Sequence, residues 1–167
     1  MNVELELKLK NKYPVILKDY GGDMRYTCMA WGMSHGDGWY AILENLLQEL
    51  QTISDKTGVK IIADQIKEKF GVLNFYYHLE YKPTYIDSLA NKFRNFMYNH
   101  KLGVQYNSII HFKRKYIWKS TEEKIQDFVN DAEELSQYVC EVCGKAGTLN
   151  SDGWLTTLCD KCRKVKQ

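Results

Sequence analysis

Apolar and charged residues alternate from the start of the chain. Val3, Leu5, Leu7 and Leu9 are apolar, and Glu4, Glu6, Lys8 and Lys10 are charged. A period of two predicts a strand with one buried face. Tyr13-Pro14 interrupts it, and Val15-Ile16-Leu17 reads as a second short strand. From Tyr20 to Gly38, glycines at 21, 22, 32, 36 and 38 predict an irregular loop. An amphipathic helix follows from Trp39 to Ile53, with Ile42, Leu43, Leu46, Leu47, Leu50 and Ile53 at helical spacing. Asp37 and Gly38 stand where its N-cap is expected, and Thr57-Gly58 closes it.

Two β-rich runs come next, Val59 to Ile66 and Val72 to His78. The breaker near Lys69-Phe70-Gly71 predicts an antiparallel hairpin, with Leu73, Phe75 and Tyr77 on one face and Asn74, Tyr76 and His78 on the other. Thr84 to Asp87 has the character of a capping box and predicts a helix carrying Ile86, Leu89, Ala90, Phe93 and Phe96. Gly103 to Trp118 fits either a strand or continued helix. A stronger capping box, Ser120-Thr121-Glu122-Glu123, opens a helix with Ile125, Phe128, Ala132, Leu135 and Tyr138 on one face. The pattern is that of an α+β protein: a small antiparallel hairpin or sheet packed by helices over residues 1–138, then a zinc ribbon over 139–167, docked through Trp154.

The ribbon rests on four cysteines. Cys140-Glu141-Val142-Cys143 and Cys159-Asp160-Lys161-Cys162 are two C-x-x-C knuckles, a spacing that reads as a zinc site. Each knuckle supplies two thiolates, and four soft ligands complete a tetrahedron around one zinc ion. Four protein ligands leave no open position for water, so the expected role is structural rather than catalytic. A redox pair would need one C-x-x-C in a βαβ setting.

Composition narrows the rest. The 167 residues carry 23 basic and 21 acidic side chains, and a net charge of +2 does not by itself point to nucleic acid or a membrane surface. In the ribbon, Lys145, Lys161, Arg163, Lys164 and Lys166 are offset by Glu141, Asp152, Asp160 and the negative charge of a zinc tetrathiolate. No apolar run approaches the ~18 residues that span a bilayer, and the first residues lack the apolar core of a signal peptide. With paired cysteines suited to a reducing compartment, the expected location is cytoplasmic. Twelve Tyr and four Trp supply flat faces with polar handles, as useful in cores as in ligand sites.

The segment Trp31-Gly32-Met33-Ser34-His35-Gly36-Asp37-Gly38-Trp39 is the candidate ligand site. Glycines let backbone amides approach an anion, and a helix N-terminus favours one. On this reading Trp31, Trp39 or Tyr76 stacks on a base, Arg25, Lys67 and Lys69 neutralise phosphate, and amides around Gly36, Asp37 and Gly38 hold an oxygen beside His35. The competing reading is a tight turn in which Asp37 caps the helix and both tryptophans pack in the core. Neither a P-loop nor a dinucleotide fingerprint is present.

No constellation names a reaction, so no catalytic residue is assigned. The four histidines are scattered, and Cys28 sits in an apolar setting where a buried, inert thiol is expected. The run His111-Phe112-Lys113-Arg114-Lys115-Tyr116-Ile117-Trp118-Lys119 interleaves cations with aromatics. It fits a nucleic-acid contact or the solvated edge of a sheet.

The chain resembles a family of small proteins of tailed bacteriophages and prophages. The likeness lies in Tyr20-Gly21-Gly22-Asp23, Thr27-Cys28-Met29-Ala30-Trp31-Gly32, Gly36-Asp37-Gly38-Trp39, Ala63-Asp64-Gln65-Ile66-Lys67-Glu68-Lys69-Phe70-Gly71 and Cys140-Glu141-Val142-Cys143-Gly144, with Trp154 and Thr157-Leu158-Cys159. His35 stands where relatives are expected to carry cysteine, and Asn91 to Lys119 is longer than usual. The resemblance implies an accessory protein working in the cytoplasm of a bacterial host, and no particular reaction; homo-oligomerisation is left open. The leading expectation is non-catalytic sequestration of a small nucleotide-derived ligand against host defence signalling. The alternatives are a zinc-ribbon protein that binds nucleic acid or modulates transcription, and an inhibitor that grips a host defence protein.

Overall fold

The computed structural model describes residues 1–80, 121–150 and 153–165. The elements are α1 (Val3–Lys12), α2 (Tyr40–Thr57), β1 (Lys60–Lys69), β2 (Val72–Glu80), helix α3 over residues 121–136, β3 (Thr148–Asn150), β4 (Thr156–Leu158) and α4 (Asp160–Val165). Short 3-10 turns lie at Cys28–Trp31 and Asp37–Trp39. Helices pack on two small antiparallel sheets, β1-β2 and β3-β4, as expected of an α+β chain. The helix expected from Ile86, the Gly103 to Trp118 segment, the basic run 111–119 and the Ser120 cap lie outside the described residues.

The N-terminus corrects the expected strand. Val3–Lys12 is a helix, capped by the Asn2 side chain, which accepts the Glu4 N–H at 2.8 Å. Leu, Glu and Lys are strong helix formers, and the alternation is not the pattern of burial. Val3 and Leu7 are exposed, whereas Glu6, Leu9 and Tyr13 are buried at helical spacing. Val15-Ile16-Leu17 is likewise a turn rather than a strand, although Ile16 and Leu17 enter the core.

Helix α2 buries Ile42, Leu43, Leu46, Leu47 and Leu50 and ends on Gly58, whose φ of 72° suits a left-handed cap. It packs on the hairpin through a core that includes Leu9, Ile61, Ala63, Ile66, Leu73 and Phe75. The hairpin pairs Lys69 with Val72 at its tip and carries a bulge between Ala63 and Gln65. Leu73 and Phe75 face the core while Tyr76 is exposed, as the alternation predicted.

Helix α3 buries Ile125, Val129, Ala132 and Ser136. Leu135 and Tyr138, expected on this face, are exposed, because burial follows i, i+4, i+7 from Ile125 and misses them. The helix also serves the sheet edge. The Ser136 hydroxyl accepts the Leu73 N–H at 2.9 Å, and Glu133 accepts the Phe75 N–H at 3.0 Å. Two strand amides that would otherwise lie unpaired at a buried edge are thereby satisfied.

Among the described residues, no helix is long and apolar enough to cross a membrane.

Candidate functional site

The four thiols of Cys140, Cys143, Cys159 and Cys162 lie within 4.8 Å of one another, a group that can hold a metal ion. Cys143 and Cys159 are 3.6 Å apart, far beyond a disulfide bond. That spacing is close to the roughly 3.8 Å expected between thiolates bound at ~2.3 Å in a tetrahedron. The first knuckle is formed by backbone bonds. Cys140 N–H donates to the Lys145 carbonyl at 2.7 Å, and Gly144 N–H donates to the Cys140 carbonyl at 2.9 Å. Gly144 has a φ of 71°, which lets the chain curl back at this point. The second knuckle runs from the end of β4 into α4.

The donor set has the electrostatics of a cation site. Burial raises the Cys140 thiol, but hydrogen bonds from the backbone at Cys159, Cys143 and Val142 outweigh it and bring the pKa down to about 6. Hydrogen bonds with Cys143 and Cys159 push Cys162 up to about 12. Hydrogen bonding, first from the Cys162 backbone, lowers Cys159 as well, so two thiols are held below the ordinary value and Cys162 above it. A divalent cation at the centre would relieve that conflict and deprotonate all four.

The glycine-tryptophan loop lies against this knuckle. Gly36 N–H donates to the Glu141 carboxylate at 3.0 Å, and Gly38 N–H donates to the Glu141 backbone carbonyl at 2.7 Å. A Cβ on Gly36 would overlap the Glu141 carbonyl oxygen, and one on Gly38 would overlap the Cys140 carbonyl oxygen. Glycine is required here because two backbones touch. Trp39 is fully buried, and its indole N–H donates to the Val139 carbonyl at 2.7 Å.

These contacts correct the expected ligand site. The Gly36 and Gly38 amides are already bonded to Glu141, and Trp39 offers no free face for a base. Asp37 does not cap α2, whose N-cap is Trp39. Its carboxylate accepts the Asn2 N–H at 2.6 Å. His35 is 6% exposed, and its Nδ1 lies 2.9 Å from the Gly36 carbonyl. As the donor of that bond, Nδ1 leaves a lone pair on the buried Nε2, which has no protein partner. Burial drives the His35 pKa down to about 4, so the ring is neutral near pH 7.

The other candidates remain at the surface. Trp31 is 71% exposed, contrary to the reading in which both tryptophans enter the core. Arg25 is exposed and pairs with Asp23 at 2.5 Å. Lys67 and Lys69 share the outward face of β1. The Lys67 ammonium sits 5.4 Å from the Tyr76 ring centre, and the Lys69 ammonium 5.4 Å from that of Phe70. The loop does reach this strand, since Ser34 bridges to Lys67 in parallel.

Two more expectations change. Cys28 is exposed rather than buried. Trp154 is 81% exposed, so the ribbon does not dock through it. Docking instead uses Glu141, Val139 and Thr157, whose hydroxyl donates to the Gly71 carbonyl at 2.7 Å. Glu141 is the residue that the sequence did not single out. Its place inside the first knuckle was the available signal, but spacing alone says nothing of what its two oxygens reach.

A groove of about 750 Å³ beside β2 is lined by Tyr76, Tyr77, Gln126 and the acidic Glu122, Glu123 and Glu133. Three carboxylates make it a poor place for phosphate. Compared with models of known protein families, with curated proteins and with solved structures, the chain matches none.

Proposed function

We propose that this is a non-catalytic binding protein with one structural zinc ion in its four-cysteine ribbon and a nucleotide-bearing ligand on the outward tip of the β1-β2 hairpin. Two C-x-x-C pairs and four converging thiols support zinc, which favours tetrahedral sulfur. Bound there, the ion would supply structure, because four protein ligands fill its coordination shell.

The observation that carries the ligand reading is the Lys69 ammonium on the exposed Phe70 ring, with Lys67 on Tyr76 as a second contact at the rim of the acidic groove. An ammonium beside an exposed ring offers a phosphate partner next to a stacking face, the two features that a nucleotide presents together. The surface is open rather than enclosed. A free nucleotide and a single strand share this chemistry, and both fit it. In the setting implied by the phage resemblance, an infected bacterium, such binding would withhold a nucleotide from host defence.

Metal analysis of the purified protein should return one zinc per chain. Small molecules released by heat from protein made in phage-challenged cells then separate the two ligand sources. A stoichiometric nucleotide marks a sequestering protein. An empty protein that binds fluorescein-labelled oligothymidylate, more weakly as salt rises, marks a strand binder. Neither result, with Lys67→Glu and Lys69→Glu without effect, overturns the ligand reading and leaves the metal assignment standing.

A further inference from the structure

The hairpin tip contains a residue that its backbone does not favour. Phe70 and Gly71 are the two loop residues between the paired Lys69 and Val72, with φ of 57° and 78°. Two positive φ values in a two-residue hairpin loop describe a type I′ turn, which prefers Asn-Gly or Gly-Gly. Among the described residues, Phe70 is the one non-glycine residue with positive φ. A bulky side chain there is strained, and the strain must be outweighed elsewhere.

Core packing does not outweigh it, because Phe70 is 65% exposed. Meanwhile the turn beneath the ring is held firmly. Gly71 N–H donates to the Glu68 carboxylate at 2.5 Å, and the Gly71 carbonyl accepts the Thr157 hydroxyl at 2.7 Å. The four-cysteine ribbon thus braces the tip from which Phe70 projects. An exposed ring carried on a braced turn, with an ammonium 5.4 Å from its centre, offers a stacking face.

We infer that Phe70 is the base-stacking residue of the hairpin site, working with Lys69 as its phosphate partner; this rests on the nucleotide reading above. Lys67 lies two residues from Lys69 on β1, about 6.6 Å at ~3.3 Å per residue, and its contact with Tyr76 on β2 is the second such pair. Strain at Phe70 is then retained for binding rather than for the fold.

Stability and binding should therefore move in opposite directions on substitution. The test uses the full-length, zinc-loaded protein with Phe70→Asn, Phe70→Tyr and Phe70→Leu, titrated against fluorescein-labelled oligothymidylate and against ATP. Asn suits the left-handed turn, so Phe70→Asn should raise Tm by about 2 °C. It should weaken whichever probe binds by roughly tenfold, the loss of one stacked base. Phe70→Tyr should keep the affinity, and Phe70→Leu, apolar without a π face, should lose it as Asn does. Wild-type affinity in Phe70→Asn, while Lys67→Glu still weakens binding, overturns the role of Phe70 and spares the site. A fall in Tm for Phe70→Asn overturns it too, since the ring would then be supporting the fold. No binding of either probe by the wild type overturns the inference together with the nucleotide reading.

Discussion

The Trp39 indole donates its N–H to the carbonyl of Val139, the residue before the first cysteine of the ribbon, at 2.7 Å. The largest fully buried side chain among the described residues is therefore bonded to the base of the metal knuckle. Glu141, one residue past Cys140, holds the turn that leads into Trp39. Ribbon and body share these contacts, so folding of one should depend on the other.

Metal removal should then be felt in the body. Binding of a structural zinc contributes on the order of 10 kcal/mol to folding in small domains, part of which is transmitted here through Trp39 and Glu141. In a variant with Phe at positions 31, 118 and 154, Trp39 is the sole indole. Stripping its metal with a chelator should shift the emission to the red and lower Tm. Emission unchanged after measured metal loss would show that the knuckle and Trp39 are uncoupled.

Gly38→Ala tests the same junction without touching a ligand. The new methyl would meet the Cys140 carbonyl oxygen and the Gly144 amide nitrogen, both backbone atoms that cannot swing aside. A cost of about 3 kcal/mol is expected, at the upper end for overpacking. Urea unfolding of the zinc-loaded protein measures it. Gly21→Ala is the contrast for crowding, because no atom beyond its chain neighbours lies within 4 Å of its Cβ position, although its φ of 70° still adds backbone strain. If Gly38→Ala costs no more than Gly21→Ala, the close approach is not limiting.

How far the sequence spoke depended on whether a local pattern was also the global one. The hairpin was legible because Lys69, Phe70 and Gly71 break two β-rich runs and the alternation of Leu73, Phe75 and Tyr76 matches their burial. Helix α2 was legible from its apolar spacing, and the ribbon from its cysteines. At the N-terminus, Leu5, Leu7 and Leu9 alternate in sequence, but the partner that organises the helix is Glu6, a buried carboxylate. No periodicity marks a charge as inward-facing. The glycine loop failed as a ligand site for a related reason: glycine permits close approach without saying to what. Here the approaching group is the chain itself, 105 residues away from Gly36 at Glu141.

Glu6 should prove costly to remove. Its carboxylate accepts the Tyr20 hydroxyl at 2.7 Å and the Met33 N–H at 3.1 Å, and the Met1 ammonium lies 3.6 Å away. Burial, reinforced by the bond to Glu6, holds the Tyr20 pKa up at about 12. Glu6→Ala strands these donors inside the protein, with an expected loss of about 3 kcal/mol. Combined with Tyr20→Phe in a double-mutant cycle, it should show a coupling of about 1 kcal/mol. Strict additivity of the two would mean that the Tyr20 bond contributes nothing to stability.

His35 sets a pH dependence whose sign follows from its burial. Desolvation lowers its pKa to about 4, opposed by the hydrogen bond with Gly36 and the charge of Asp37, while the Met1 ammonium lowers it further. The unfolded chain takes up the proton near the ordinary value of about 6.5. Between these two values the unfolded state binds more protons than the folded state, so stability falls as pH falls. The penalty is absent above about pH 6.5 and complete below about pH 4, where it reaches roughly 3 kcal/mol. Thiolate protonation acts in the same direction, so the contribution is isolated by difference. His35→Gln, compared with the wild type in urea unfolding at several pH values, should gain relative stability by roughly that amount across the window. Parallel curves for the two proteins would place the acid sensitivity elsewhere, with the ribbon thiols the first candidates.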